Sequence, residues 1–231
     1  MRKGNIKYKQ NMVSIMGDSI STYSGYNPRG YRIYYTFWPR TVNHIKSVHA
    51  TWWWIVLKQI NATLCVNGSF SGSLVSGGDF PAAESKERIE VLRKKNVMPD
   101  IIMVYMGAND VACAVNIQRF AESYSCMLEG LKQQYPDARI LCGTLMKTYV
   151  KNKQDWRFPG INHGLSFDSY NDAIRRVCNN EGVFIVDNVR TGIFYETLDT
   201  VHPTAKGHTE IASAWNMCLM NSELGHILQR K

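Results

Sequence analysis

Apolar residues gather in five short runs, Met12 to Met16, Thr63 to Val66, Ile101 to Tyr105, Ile140 to Leu145 and Val183 to Val186, each closed by small or polar residues. Runs of that length between turn residues predict buried strands. The stretches between them keep a different rhythm. Ile117 to Gln134 sets Phe120, Tyr124, Met127, Leu128 and Leu131 at three- and four-residue steps, one face of a helix, and stops before Pro136. Further helices are predicted over Trp52 to Ile60, Ala82 to Lys95, Tyr170 to Asn180 and Ala205 to Met220. Three successive helical residues cannot point one way, so Trp52, Trp53 and Trp54 are read as mostly core, with at most one or two buried in the same place.

Strands alternating with helices require crossover connections, which build a mostly parallel sheet covered on both faces. The expected fold is α/β, a three-layer α/β/α sandwich in a single domain over residues 1–231. Ligands of such sheets bind beyond the carboxyl ends of the strands. Chemistry is therefore sought in the residues that follow each run.

Composition narrows the class without changing it. A chain of 231 residues buries about three quarters of its unfolded surface. No run approaches the roughly 18 apolar residues of a membrane span. Met1 to Gln10 is polar and basic, lacking the apolar region of a secretory signal, so a cytoplasmic location is expected, or export if a signal has been removed. Six cysteines stand without a close pair, mostly inside apolar runs, as reduced core thiols do. The formal charge of +8 is spread along the chain and reads as a solvated surface. No nucleic-acid motif accompanies it.

Four short signals carry candidate chemistry. The first run ends in Gly17-Asp18-Ser19-Ile20-Ser21, a tight turn that would expose a hydroxyl at the end of a strand. The second enters Asn67-Gly68-Ser69-Phe70-Ser71-Gly72, where a bare glycine N–H can approach a ligand. The third ends in Gly107-Ala108-Asn109-Asp110, which brings a carboxamide to the same edge. Before the last helix stands Asp199-Thr200-Val201-His202-Pro203, where Pro203 keeps His202 extended and a carboxylate three residues earlier can reach its Nδ1. Singly, each has a plainer reading as a cap or a polar turn. Asp187, beyond the fifth run, is a rival acid, whereas His163 and His208 stand at no familiar ligand spacing from His202, so no metal is expected.

Taken in order, these blocks resemble the SGNH (GDSL) hydrolase superfamily, with Ile20 in place of the usual leucine of Gly-Asp-Ser-Leu. The resemblance runs from residue 12 to about 215 and implies a flavodoxin-like five-stranded parallel sheet and a serine esterase without cofactor. It makes Ser19 the nucleophile, His202 the base and Asp199 its orienting acid. The backbone N–H of Ser19 and Gly72 and the amide of Asn109 become the oxyanion hole, with Gly68, Gly77 and Gly78 as neighbours of Gly72. Activity should then fall on acidification as the base protonates.

The substrate is read from aromatic density. Tyr23, Tyr26, Tyr31, Tyr34, Tyr35, Phe37 and Trp38 crowd the segment after Ser19, and Tyr149, Trp156, Arg157 and Phe158 a second one over Lys147 to Gly164. Such rings suit sugar faces as well as acyl chains, and they also pack loops. Tyr23, Tyr26, Tyr35, Trp38 and Trp156 are taken as substrate contacts. The expected substrate is a short-chain, acetyl-type ester on a carbohydrate. The alternatives are a lysophospholipase or thioesterase and a non-catalytic glycan-binding module.

Overall fold

The computed structural model describes residues 10–39, 41–150 and 167–222. Among them the strands are β1 (Met12–Gly17), β2 (Thr63–Asn67), β3 (Ile101–Tyr105), β4 (Arg139–Gly143), β5 (Thr148–Val150), β6 (Phe184–Val186) and β7 (Tyr195–Thr197). The helices are α1 (Trp52–Gln59), α2 (Lys86–Glu90), α3 (Ala108–Ala112), α4 (Ile117–Gln134), α5 (Phe167–Glu181) and α6 (Ala205–Met220).

Five strands form one parallel sheet in the order β2-β1-β3-β4-β6. This is the flavodoxin-like arrangement, and its order reverses beside β1, where ligand crevices open in such sheets. Strands β1 and β3 are largely apolar because both of their faces are covered: Val13, Ile15 and Met16 in β1 and all of β3 are buried, and the buried Ser14 hydroxyl donates to the Leu92 carbonyl at 2.6 Å. Helices α1 and α6 pack together on one face, while α2, α4 and α5 pack on the other. Trp52 of α1 and Trp215 of α6 close the first layer around Tyr105, and Phe120 of α4 meets Tyr170 of α5 in the second. In the tryptophan run, Trp52 and Trp53 are buried and Trp54 is partly so.

Three features depart from the sequence reading. The helix expected over Ala82 to Lys95 is confined to Lys86–Glu90, because Ala83 and Glu84 use their N–H groups to pair with the carbonyls of Leu74 and Val75. Cys113 and Cys126 are exposed, whereas Cys65, Cys142 and Cys178 lie in the core. A second, two-stranded parallel sheet joins β5 and β7, where no strand is expected. Strand β7 aims the chain at the functional rim: a bridge between Thr197 and Pro203 folds the intervening residues into a turn, and Thr204 caps α6 directly afterwards.

Candidate active site

Parallel strands deliver their carboxyl ends to one rim, and the chain leaves β1 there through a turn that only glycine permits. A Cβ on Gly17 would stand 2.5 Å from Ser21 Oγ and 2.8 Å from Ser69 Oγ. Ser19 opens a one-turn 3-10 helix, Ser19–Ser21, capped by Asp18, whose carboxylate accepts the Ile20 N–H at 2.9 Å. The Thr22 hydroxyl closes the turn by donating to the Ser19 carbonyl at 3.0 Å. Beneath it the buried Arg88 guanidinium donates to the Gly17 carbonyl at 2.9 Å.

The His202 ring comes to this turn from the other end of the chain. Its Nε2 lies 2.9 Å from Ser19 Oγ, and its Nδ1 lies 2.7 Å from Asp199 Oδ2. The second oxygen of Asp199 accepts the backbone N–H groups of Val201 and His202 at 3.1 and 2.8 Å, so the carboxylate is fixed at both ends. Burial raises the affinity of Asp199 for a proton, but the hydrogen bonds and charge of His202 outweigh it and hold the carboxyl well below the usual range. A hydroxyl, an imidazole and a carboxylate in series can activate an oxygen nucleophile.

Gly72, on the loop after β2, and Asn109, in the first turn of α3 after β3, lie at the same rim. The Asn109 amide donates to the Ser73 carbonyl at 2.8 Å, and since an amide carries two N–H donors, one remains for a ligand. Asp110 ties α3 to that loop, accepting from the Val75 and Ser76 N–H groups and the Ser76 hydroxyl at 2.8, 3.1 and 2.7 Å. Among the glycines of this loop, Gly68 donates to the Ile15 carbonyl, and Gly77 and Gly78 both donate to Glu84 Oε1. The exposed Gly72 donates to no described acceptor, and its φ of +81° is one that side chains rarely adopt.

Comparison with known proteins places the chain in a family. The model of the GDSL-like lipase/acylhydrolase family matches residues 11–219. The chain belongs to this family. It is an SGNH-type hydrolase. Among solved structures, a protein of Bacteroides ovatus described as a GDSL-like lipase is 24% identical with a TM-score of 0.72, covering 93% of this chain and 100% of its own. Another so described, from Bacteroides uniformis, is 26% identical with a TM-score of 0.66, covering 89% and 93%. A family two carbohydrate esterase from Clostridium thermocellum is 18% identical with a TM-score of 0.59, covering 94% and 66%. No curated protein matches the chain.

Other candidates find different places in this GDSL-like hydrolase. Asp187, the rival acid, is engaged by Arg175 through two hydrogen bonds of 3.0 and 2.9 Å. His208 is buried, and its Nδ1 accepts the Trp52 N–H at 3.2 Å. Among the described residues no group of acidic, histidine or cysteine side chains could hold a metal. His163 and Trp156 lie outside the described residues.

Among the aromatic expectations, those for Tyr23 and Tyr35 need correction. Tyr23 and Tyr35 are buried, and their hydroxyls donate to the carbonyls of Ile45 and Pro203, so both pack loops and neither faces a substrate. Tyr26 packs against Tyr23, Trp53 and Trp54 and lines a cavity of about 420 Å³ with Leu57, Lys58 and the start of β2, apart from Ser19. Trp38 is exposed and stacks on Phe37 at 5.0 Å. The ring that does reach the site is Tyr34, which the sequence only counted among its neighbours: it lies parallel to the His202 imidazole.

Proposed function

We propose that this family member is a serine esterase in which Ser19 attacks an acyl carbonyl while His202, oriented by Asp199, takes its proton. The observation that carries this reading is the unbroken series Ser19 Oγ, His202 Nε2, His202 Nδ1, Asp199 Oδ2, with contacts of 2.9 and 2.7 Å. Attack produces a tetrahedral oxyanion. The N–H groups of Ser19 and Gly72 and the free Asn109 N–H receive it, and because these donors are fixed beforehand they stabilise charge without reorganising. His202 then returns the proton to the departing alcohol, and the same imidazole draws a proton from water to release the acid from Ser19.

For the substrate we favour a short acyl, acetyl-type ester on a carbohydrate. The support is local in the chain: exposed Phe37 and Trp38 form a stacked pair three and four residues beyond Tyr34, itself against His202, and flat exposed rings suit sugar faces. The likeness to a carbohydrate esterase fold points the same way.

A fluorophosphonate probe followed by peptide mass analysis tests the first step, with labelling expected at Ser19 and lost in Ser19→Ala. Intact, folded protein that takes no label would indicate a binding module. A series of nitrophenyl esters then tests the acyl preference, with acetate expected to exceed octanoate in kcat/KM. Preference for the longer chain would favour the lysophospholipase reading, and release of acetate from acetylated oligosaccharides would support the glycan one.

A further inference from the structure

Ser19 and His202 are separated by 183 positions, and the imidazole belongs to a half-exposed turn rather than to a strand or helix. Something beyond the sheet must keep the two aligned. The Tyr34 ring lies on His202 with centroids 3.6 Å apart and planes 7° from parallel, and its hydroxyl donates to Asp199 Oδ2 at 3.3 Å. The same residue is tied to the nucleophile: its backbone N–H donates at 2.8 Å to the Thr22 hydroxyl, which in turn donates to the Ser19 carbonyl.

We propose that Tyr34 is a positioning residue, a strap that spans from the Ser19 turn to the Asp199–His202 pair and holds the imidazole in reach of the Ser19 hydroxyl. The inference rests on the esterase reading. Its geometry gives one side chain two tasks. Parallel contact over one face of the ring removes the rotation about the imidazole's side-chain bonds that would break the hydrogen bond to Ser19, and an aromatic face also attracts the imidazolium formed when Ser19 loses its proton. The hydroxyl meanwhile occupies the outer side of the Asp199 carboxylate, where water would otherwise compete for the oxygen that His202 needs.

Tyr34 is itself held through its backbone and by a neighbouring ring. Its carbonyl accepts from the Asn43 amide, and Tyr35 packs edge-on against it at 4.9 Å while donating to the Pro203 carbonyl at 2.8 Å. The Tyr34–Tyr35 pair thus grips the turn of residues 199 to 203 at both ends. Burial and the negative charge of Asp199 push the Tyr34 phenol up to about 12, so it stays a donor at any pH at which the enzyme would work.

The test compares Tyr34→Phe and Tyr34→Leu in the full chain, measured by nitrophenyl acetate kinetics and by the NMR signal of the His202 Nδ1 proton. Phe keeps the stack and loses the hydroxyl; it should retain folding and lower kcat about 3-fold to 10-fold. Leu loses both, and kcat should fall about 30-fold or more with KM little changed, as befits lost alignment of reacting groups. The Nδ1 proton, sheltered in the wild type, should broaden by exchange in the Leu variant and persist in the Phe variant. A Leu variant with wild-type kcat, or one with only KM raised, would overturn the strap. A wild type that hydrolyses and labels nothing would instead sink the esterase reading, and the proton signal would still decide the role of Tyr34.

Discussion

Residues 17 to 22, which carry Ser19, lie almost wholly out of solvent and are fixed by the core: Arg88 and the Asp18 cap hold the turn from below, and Gly17 leaves no room for an alternative path. Residues 198 to 203, which carry the proposed acid and base, are held by polar bonds at the surface. The side chain of Asp199 is 47% exposed, Thr200 sits at a φ of +80° without being glycine, and the turn closes through Leu198 donating to the His202 carbonyl. Position is thus supplied by the fold on the Ser19 side and by local hydrogen bonds and one tyrosine on the His202 side. Damage to the first region should be felt as stability, and damage to the second as activity.

The sharpest way to break that contrast is Asp199→Asn. The amide would offer an N–H where His202 Nδ1 needs an acceptor, so the imidazole would turn its lone pair away from Ser19. Turnover of nitrophenyl acetate should fall about 1,000-fold to 10,000-fold. Because the carboxylate is half exposed, the melting temperature should stay close to the wild-type value, and a large drop in it would show that this turn also supports the fold.

A smaller effect is expected midway between the two regions. Asn109→Ala removes one proposed oxyanion donor and also its bond to the Ser73 carbonyl. Losing such a donor costs about 3 to 4 kcal/mol of barrier, so kcat should fall about 100-fold or more while KM changes little. Equal losses through KM would place Asn109 in ground-state binding instead.

The contrast also explains what could be read in the sequence. The central strands were legible because burial on both faces makes them continuous apolar runs: β3 is found over the expected residues. Ser19, Asn109, Asp199 and His202 stood out because each is a polar residue at a strand end or a helix entrance. The short β5 and β7, Thr-Tyr-Val and Tyr-Glu-Thr, have no such pattern, since their pairing is decided by the turn they support. The choice of Gly72 over its neighbours hinges on Glu84, which captures the N–H groups of Gly77 and Gly78 from seven and six residues away. Tyr34 carried no signal beyond being one ring among seven, because its partner lies at the far end of the chain.

The mildest prediction sharpens the buried side. Burial raises Asp18 from an ordinary 3.8 to about 6, against the Ile20 N–H and the charge of His202, which pull it down. The sign follows from proton binding: between about pH 4 and 6 the folded chain holds a proton at Asp18 that the unfolded chain has released, so stability falls as pH rises through that window and remains lower above it. The span corresponds to about 3 kcal/mol at most. Asp18→Asn keeps an oxygen for Ile20 and removes the titration. Its melting temperature should therefore gain on the wild type as pH rises from 4 to 7, with turnover changed only a few-fold. Curves that run parallel across that range would mean Asp18 is ionised in the fold at little cost, and that the Ser19 turn tolerates a buried charge for reasons other than the packing beneath it.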